Sequence, residues 1–552
     1  MRHAIDFLKF ASSTKISSGS KQELDFDDQV AEKSADKSSD HFGQAPSHFG
    51  ENDGEFSMRQ ILEQAEYFCG DDILFDSIAA TADTASAGDL IVYRIGDDDP
   101  SELVANAMAR GAAGILTEQL LPCPLPQCIV GDVELAMAEV AAHTLGHPDR
   151  AMLTIGVVGS SGKTTTSLLI SSLLRDAGTR TAYQTDLGEC DGIVQSTPST
   201  GVPSGESLIH WLSEANDGQC QAAVIELSAD DARHGLYDSI EFDILVVTGS
   251  ASLSSDFGQS PLQCLLDQLK PTGVVVASND DPKAIRVIRD SGSQLTTYGL
   301  RSQADLSAKI IDQSDGMSTL MITQDDTSVM METALCGSAM AQNHLAAAVV
   351  GVLINQPLTE ITETLSRLRS VPARGQRLSD FENADVILDA GGSPERVESS
   401  MRMARSMKGG GQLWCVLAIN DNDCPEYLTQ YGTHVERFSN KTVVTCQRSM
   451  KESYLKSSHY LLDGVERCAA MRLVADHQRA IQWAVSEAKP QDTILVIGGV
   501  STHCAHQQRT DIQQLTSWIE AARKEKDAPV ALPDSVKNTK ATILPMFQKP
   551  QD

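Results

Sequence analysis

The stretch "TIGVVGSSGKTTTSLLISSLLRDAG", from Thr154 to Gly178, decides the fold of the central part of this chain. It passes from a short apolar segment through a Gly/Ser turn to a Lys-Thr pair, and then into an amphipathic stretch. A strand, a glycine-rich turn and a helix in this order form a phosphate-binding loop, because backbone N–H groups of the turn and of the helix N-terminus point at the phosphate oxygens. The stretch therefore predicts a site for nucleotide phosphates.

The residue types of this loop have separate tasks. Gly162 allows a close backbone approach, Lys163 supplies positive charge to the β- and γ-phosphates, and Thr164 can hold Mg²⁺. The generic pattern has a glycine six residues before the lysine, where this chain has Val157, so the spacing here is GxxGKT. The strand-to-helix context supports the assignment. The loop residues predicted to bind ATP are Gly159, Ser160, Ser161, Gly162, Lys163, Thr164 and Thr165.

Length and composition restrict the class of protein. The chain has 552 residues, which predicts three or four domains of ~100–200 residues. Acidic residues number 75 and basic residues 44, and the net charge of -31 argues against a broad surface for nucleic acid or anionic membranes. No apolar run reaches the ~18 residues that span a bilayer, and the N-terminus shows no secretory signal. The twelve cysteines are scattered singly, which favours free thiols in a reducing cytoplasm.

Composition changes along the chain predict its organisation. Near-continuous apolar strands alternate with helices, which predicts an α/β fold with parallel sheets covered on both faces. The central strands are expected at "LTIGVV", "AAVIELS", "FDILVVTG" and "TGVVVASND", and those of the last unit at "DVILDA", "QLWCVLAI", "KTVVTC" and "DTILVIGG". The expected units are a disordered tail (1–57), three domains (58–149, 150–370 and 371–526) and a flexible tail (527–552).

Motifs in all three domains resemble the Mur ligase family, closest to the type that adds the third peptide residue to UDP-N-acetylmuramoyl-L-alanyl-D-glutamate. The resemblance covers roughly 75–505 in the family's order. Its main blocks are "AGDLIVYRIGDDDPSELVANAMARGAAGILTE", "GHPDRAMLTIGVVGSSGKTTT", "VIELSADDARHGLYDSIEFDILVVTG", "AQNHLAAA", "VPARGQRL" and "ILDAGGSPERVESSMRMARSMKGGGQLWCVL". It implies three domains: one for the UDP substrate, a central P-loop ATPase domain with a parallel sheet, and a C-terminal Rossmann-like domain.

The resemblance also implies an activity and its residues. Such ligases transfer the ATP γ-phosphoryl group to a carboxylate, and an amine then attacks the acyl phosphate to give an amide. In this sequence Lys163, Glu226 and Asp389 match the catalytic positions, and Thr164 and Glu226 match the Mg²⁺ ligands. Asn343 and Arg374 match further ATP-binding positions. Thr197, Pro198 and Ser228 match the region that touches the substrate, a UDP-N-acetylmuramoyl-peptide that is joined to an amino acid. We expect a monomeric enzyme of peptidoglycan precursor synthesis that binds no nucleic acid or membrane.

Several positions depart from the family pattern. The family's "TNLSRDHLDYHG" is here "TGSASLSSDFG", without the metal-binding His, and the family's modified lysine maps near Leu265. Lys270 is the nearest lysine, and we expect it to be a solvated residue at a helix end. These departures leave two alternatives to the Mur-type ligase. One is a non-catalytic relative that binds nucleotide as a scaffold or regulator, and the other is a ligase for another substrate, as in folylpolyglutamate- or cyanophycin-forming enzymes.

Overall fold

A computed structural model describes residues 56–527 apart from 63–64, 66, 80, 97–98, 198–203, 251–259, 315, 381, 408–409, 421–422, 448–451 and 502–503. The predicted tails lie outside the described residues, except for Phe56 and Ser57, which form a strand, and Asp527, which ends a helix. None of the described helices is long and apolar enough to cross a membrane.

The first part of the described chain contains a five-stranded sheet, a separate pair of short strands (Phe56–Ser57 with Leu74–Phe75) and three helices. Its elements are β1 (Phe56–Ser57), α1 (Met58–Ile61), β2 (Tyr67–Cys69), β3 (Leu74–Phe75), β4 (Ser77–Ala79), β5 (Asp89–Tyr93), α2 (Pro100–Arg110), β6 (Gly114–Thr117), β7 (Gln127–Ile129) and α3 (Val133–Thr144). Strands β4, β5, β6 and β7 are parallel, and β2 joins β7 antiparallel. Successive residues of β5 point to opposite faces, so that Leu90 packs in the core under α3 and Ile91 in the core under α2.

The central part carries a larger sheet. Its elements are β8 (Leu153–Val158), α4 (Lys163–Asp176), β9 (Thr181–Thr185), β10 (Gly188–Cys190), β11 (Gln195–Ser196), α5 (Gly205–Asp217), β12 (Ala222–Glu226), α6 (Ala229–Arg233), β13 (Phe242–Val247), α7 (Pro261–Asp267), β14 (Leu269–Ser278), α8 (Pro282–Ser291), β15 (Gln294–Gly299), β16 (Leu306–Ser314), β17 (Met317–Gln324), β18 (Thr327–Thr333), α9 (Ser338–Leu353) and α10 (Leu358–Ser366).

The predicted parallel sheet is confirmed for the middle of this unit. Strands β9, β12, β8, β13, β14 and β15 are parallel neighbours in that order. Every residue of β8 is buried, since helices cover both faces of the sheet. The sequence did not predict the antiparallel strands that extend the sheet, β10 and β11 at one edge and β17 and β18 at the other.

The last part forms a third sheet with helices on both faces. Its elements are β19 (Arg374–Leu378), β20 (Asp385–Asp389), α11 (Pro394–Met407), β21 (Leu413–Ile419), α12 (Pro425–Phe438), β22 (Lys441–Cys446), α13 (Tyr454–Leu462), β23 (Met471–Leu473), α14 (His477–Glu487), β24 (Thr493–Ile497) and α15 (Ala505–Asp527). Strands β20, β24, β21, β22 and β23 are parallel neighbours in that order, as expected of a Rossmann-like unit, and β19 pairs antiparallel with β20.

The prediction for Lys270 is wrong. The helix α7 ends at Asp267, and Lys270 lies in β14, which begins at Leu269. The Lys270 side chain is only 16% exposed, and its Nζ donates to the Oδ2 of Asp243 at 2.8 Å. The strand begins early because Leu269 pairs with Phe242 of β13, and this pairing between strands is not visible in the local sequence.

Candidate active site

The phosphate loop follows β8 as predicted. Gly162 precedes the first turn of α4, and Lys163 is the first helical residue, so free N–H groups of the turn face the carboxyl edge of the sheet. The Lys163 side chain is 23% exposed. The loop is fixed from outside by Thr248, whose hydroxyl donates to the Ser161 carbonyl at 2.6 Å.

Two positions of the loop require glycine. Gly162 has a φ of +84°, and a Cβ there would lie 2.3 Å from the Oδ1 of Asn343. A Cβ on Gly159 would lie 2.3 Å from the Oγ1 of Thr248. The structure therefore places Asn343, a buried residue of α9, directly against the phosphate loop.

Glu226 lies at the centre of the site. It ends β12, next to β8 in the sheet, and its side chain is 4% exposed. Its Oε1 accepts a hydrogen bond from the Thr164 hydroxyl at 3.1 Å and lies 3.6 Å from the Lys163 Nζ. Its Oε2 accepts the backbone N–H of Asp186 at 3.1 Å. Glu226 is thus a buried carboxylate held beside the phosphate loop, not a solvated strand end.

Burial and the neighbouring Asp186 carboxylate raise the pKa of Glu226 to about 7, against the opposing effects of Lys163 and Arg374. Burying a carboxylate disfavours its charged form, and a second negative charge adds to this. A cation bound next to Glu226 would favour the ionised form.

The last unit supplies the other side of the site. Arg374 and Asp389 are cross-strand partners in β19 and β20, and both are buried. The Oδ2 of Asp389 accepts the Gly375 N–H at 3.1 Å, and its Oδ1 accepts the Nε of Arg396 at 3.0 Å. The Nη2 of Arg374 lies 3.6 Å from the Asp186 Oδ2 across the cleft. Burial and, as a smaller cause, the positive charge of the nearby Arg396 lower the pKa of Arg374 to about 10, so its guanidinium stays charged at neutral pH.

One cleft joins these groups. The predicted site residues that line it are Ser160, Ser161, Gly162, Lys163, Thr164, Thr165, Glu226, Asn343, Arg374 and Asp389. Of the three predicted substrate residues, the two that the structure describes, Thr197 and Ser228, do not line the cleft. Thr197 follows β11 and is not among the lining residues, Pro198 lies outside the described residues, and Ser228 accepts the Asp231 N–H as the cap of α6. Their roles remain predictions.

The sequence did not single out two charged residues of the cleft, Asp186 and Arg396. Asp186 directly follows β9, so an acidic residue at the end of a parallel strand was the available signal. Arg396 lies in the first turn of α11 and carries no comparable signal.

The residues present fit a nucleotide with a hard divalent cation. The Nη2 of Arg374 is buried, has no hydrogen-bond partner in the described part of the chain and lines the cleft, where an anion would satisfy it. Thr164, Glu226 and Asp186 offer hydroxyl and carboxylate oxygens, which suit Mg²⁺ together with phosphate oxygens. Among the described residues no group of three or more His, Cys, Asp or Glu is arranged to hold a metal.

Two family models match the chain. The Mur ligase middle domain matches residues 157–351, and the Mur ligase glutamate ligase domain matches residues 373–500. Among curated relatives, the UDP-N-acetylmuramoyl-L-alanyl-D-glutamate–2,6-diaminopimelate ligase of Geobacillus kaustophilus is 23% identical over 72% of this chain and 84% of its own length. The ligase of that name from Streptomyces coelicolor is 27% identical over 75% of this chain and 84% of its own length.

Solved structures show the same fold. A structure of a UDP-N-acetylmuramoyl-L-alanyl-D-glutamate–2,6-diaminopimelate ligase has a TM-score of 0.57 at 19% identity, over 85% of this chain and 99% of that one. The MurF ligase from Thermotoga maritima in complex with ADP has a TM-score of 0.57 at 18% identity, over 83% of this chain and all of the other. Since the two family models together cover more than half of the chain and meet at the cleft, the chain belongs to the Mur ligase family.

Proposed function

We propose that this chain is an ATP-dependent carbon–nitrogen ligase of the Mur type, which joins an amino acid to a substrate carboxylate by an amide bond. The observation that carries the proposal is the meeting of two units in one cleft. The central unit brings Lys163 and Glu226, and the last unit brings Arg374 and Asp389. Curated relatives named as amide-forming ligases and a similar structure with bound ADP support it.

In this proposal the positively charged groups bind the phosphates, and the hydroxyl and carboxylate groups bind the metal ion. Lys163 and the N–H groups of the loop would bind the phosphate chain, and Arg374 would bind it from the opposite side. Thr164 and Glu226, with Asp186, would hold Mg²⁺. When bound, Mg-ATP would supply the phosphoryl group that activates the substrate carboxylate. Transfer of this kind depends mainly on positioning and on neutralising phosphate charge, which these groups provide.

The proposed substrates are a UDP-N-acetylmuramoyl-peptide and an amino acid, in peptidoglycan precursor synthesis in the cytoplasm. The relatives' names support this substrate class, since they specify UDP-N-acetylmuramoyl-L-alanyl-D-glutamate. The proposal keeps Thr197, Pro198 and Ser228 as substrate contacts and Asn343 as a contact of the nucleotide.

The test is a ligation assay with the full chain. UDP-N-acetylmuramoyl-L-alanyl-D-glutamate, ATP, Mg²⁺ and each of a panel of amino acids, including 2,6-diaminopimelate and lysine, are incubated with the protein. We expect phosphate release that depends on one amino acid, and a product heavier by that residue in mass spectrometry. The Lys163→Ala variant is the matched control and should release no phosphate. Binding of ATP without an amide product for any acceptor would contradict the ligase and favour a non-catalytic relative.

A further inference from the structure

Arg396 faces the nucleotide cleft from the first turn of α11. Its Nε donates to Asp389 at 3.0 Å, and its Nη2 donates to the carbonyl of Ala373 at 3.2 Å. These two bonds hold the guanidinium in one orientation. The side chain is 19% exposed, and its Nη1 donates to none of the described residues.

A second guanidinium shares the same acceptor. The Nη1 of Arg374 donates to the Ala373 carbonyl at 3.3 Å, so two positive groups converge on one oxygen. Ala373 itself has a φ of +48°, which is uncommon for a residue with a side chain. Strained backbone of this kind concentrates at functional sites, where the surrounding structure maintains it.

The paired guanidiniums leave donors without acceptors. The Nη2 of Arg374 is buried and has no hydrogen-bond partner among the described residues, and the nearest carboxylate oxygen, from Asp186, is 3.6 Å away. An unsatisfied buried donor on a charged group is costly, and a ligand anion that accepts from it removes the cost. Like charges held side by side favour an anion for the same reason.

The position of Arg374 and Arg396 indicates which part of a bound nucleotide they would contact. A phosphate loop holds the inner phosphates, and its lysine reaches the outer ones. Lys163 points to Glu226, whose Oε2 is bonded to the Asp186 N–H, and the Asp186 carboxylate in turn lies opposite Arg374. Along this series of contacts the two arginines follow Lys163, on the side where the terminal phosphoryl group of a triphosphate held by the loop would lie.

We propose that Arg396 is a third phosphate-binding cation of this site, which binds with Arg374 as a two-guanidinium clamp on the terminal phosphoryl group. Asp389 is the positioning residue that orients it. The proposal rests on the proposed function, because it presumes a nucleoside triphosphate in the cleft. It adds a group from the last unit that recognises the γ-phosphoryl.

The experiment compares equilibrium binding of Mg-ATP and Mg-ADP to the wild type, Arg396→Gln and Arg396→Lys by titration calorimetry. We expect Arg396→Gln to weaken Mg-ATP binding about 10- to 100-fold and Mg-ADP binding less than about 3-fold, as for loss of charge-assisted hydrogen bonds to one phosphoryl group. Arg396→Lys keeps the charge but loses the fork geometry, so its effect on ATP should be intermediate. Arg402→Gln is the matched control, because Arg402 lies on the same helix and pairs with Glu398 on the surface.

The outcomes separate this inference from the proposed function. Equal weakening of ATP and ADP binding by Arg396→Gln, or no weakening, would overturn the clamp while leaving the nucleotide site intact. If the wild type bound neither nucleotide, the proposed function would fail first. Thermal denaturation of each variant checks folding, and Arg396→Lys, which retains the long side chain, provides the comparison if Arg396→Gln unfolds.

Discussion

Two cavities of this molecule occupy equivalent places in two sheets, but their chemistry differs. The central cleft lies where β8 and β12 end, and three cations line it, namely Lys163, Arg374 and Arg396. The second cavity lies where β22 and β24 end, and its lining includes Gln447, Asp476, His477, Gly499, Asp511 and Trp518. No Lys or Arg lines the second cavity within the described residues.

In both sheets the topology supplies the crevice, and the side chains that line it select the ligand. Carboxyl ends of parallel strands leave a crevice in both sheets. In a chain with a net charge of -31, an anion binds only where local cations oppose that field. The ring of His477 adds no charge to the second cavity, because burial lowers its pKa to about 4. Of these two cavities in the described part of the chain, the central cleft is therefore the one that suits a polyphosphate.

The largest expected effect is that of Lys163→Ala. Removal of the cation that reaches the outer phosphates should weaken Mg-ATP binding by about 100-fold or more, since several charge-assisted contacts depend on it. Titration calorimetry measures it. Lys283→Ala, on an exposed position of α8, is the control and should bind as the wild type does. If Lys163→Ala kept its ATP affinity, the cations of the central cleft would not explain the difference between the two cavities.

A smaller but substantial effect is expected of Gly162→Ala. The new Cβ would meet the Oδ1 of Asn343, and the positive φ adds strain of about 1–3 kcal/mol. We expect about 10-fold weaker Mg-ATP binding and a lower melting temperature. Because Asn343 is itself a proposed nucleotide contact, the clash is tested on the melting temperature, which Gly162→Ala should lower less in an Asn343→Ala background than in the wild type. An equal loss of melting temperature in both backgrounds would assign the effect to the backbone angle.

Glu226→Gln should change the pH dependence of stability. The folded pKa of Glu226 lies above its unfolded value, so its contribution to stability is complete below about pH 4.5 and is lost as the pH rises through about 7. Glutamine stays neutral, and the nucleotide-free variant should therefore melt higher than the wild type at pH 8.5 and at a similar temperature at pH 4.5. Calorimetric scans at both pH values measure this. A wild type that is more stable than Glu226→Gln at pH 8.5 would contradict the raised pKa.

The same substitution should also reduce the effect of Mg²⁺. A neutral amide lacks the negative charge that a carboxylate offers to Mg²⁺. Added Mg²⁺ should therefore strengthen ATP binding to Glu226→Gln much less than to the wild type. In the wild type, the increase in ATP affinity that Mg²⁺ causes should become larger as the pH rises through about 7, since the Glu226 carboxylate must ionise to bind the cation. Binding titrations with and without Mg²⁺ at pH 6 and pH 8 test both statements.

Lys270→Met should affect stability but not ligand binding. Its ion pair with Asp243 is mostly buried, and the Asp243 Oδ2 also accepts the Thr154 N–H at the start of β8. Loss of one partner leaves a poorly compensated charge, so we expect destabilisation of about 1–3 kcal/mol. Denaturant unfolding measures it, with Asp243→Asn as the partner variant. A change in ATP affinity beyond about twofold would instead link this pair to the site.

The smallest effect is expected of His477→Gln in the second cavity. Because His477 is not among the described residues that line the nucleotide cleft, Mg-ATP affinity should stay within about twofold of the wild type. The ring of His477 lies against Gly499, so a small change in melting temperature would agree with this prediction. A large loss of ATP binding would show that the two cavities act together.

Local chemistry explains why the sequence predicted so much of the central site. Residues 159–165 are consecutive, so one short stretch sets both the shape of the loop and the groups that it presents. Glu226 was predictable because it matches an acidic position of the Mur ligases at the end of an apolar strand. The antiparallel strands β17 and β18 were not predicted, since their alternating burial gives a weaker signal than a fully apolar strand such as β8.

The phosphate loop, the α/β alternation and the resemblance to the Mur ligases follow from the amino-acid sequence alone, because each depends on neighbouring residues or on motif order. Tertiary contacts were needed to show that Asp186 and Arg396 face the same cleft, that Lys270 pairs with Asp243, and that Arg374 keeps an unsatisfied donor. These properties arise when strand ends and helix starts far apart in the chain meet at one edge. Burial and charge at such a meeting point are properties of the assembled neighbours, and no single segment of sequence contains them.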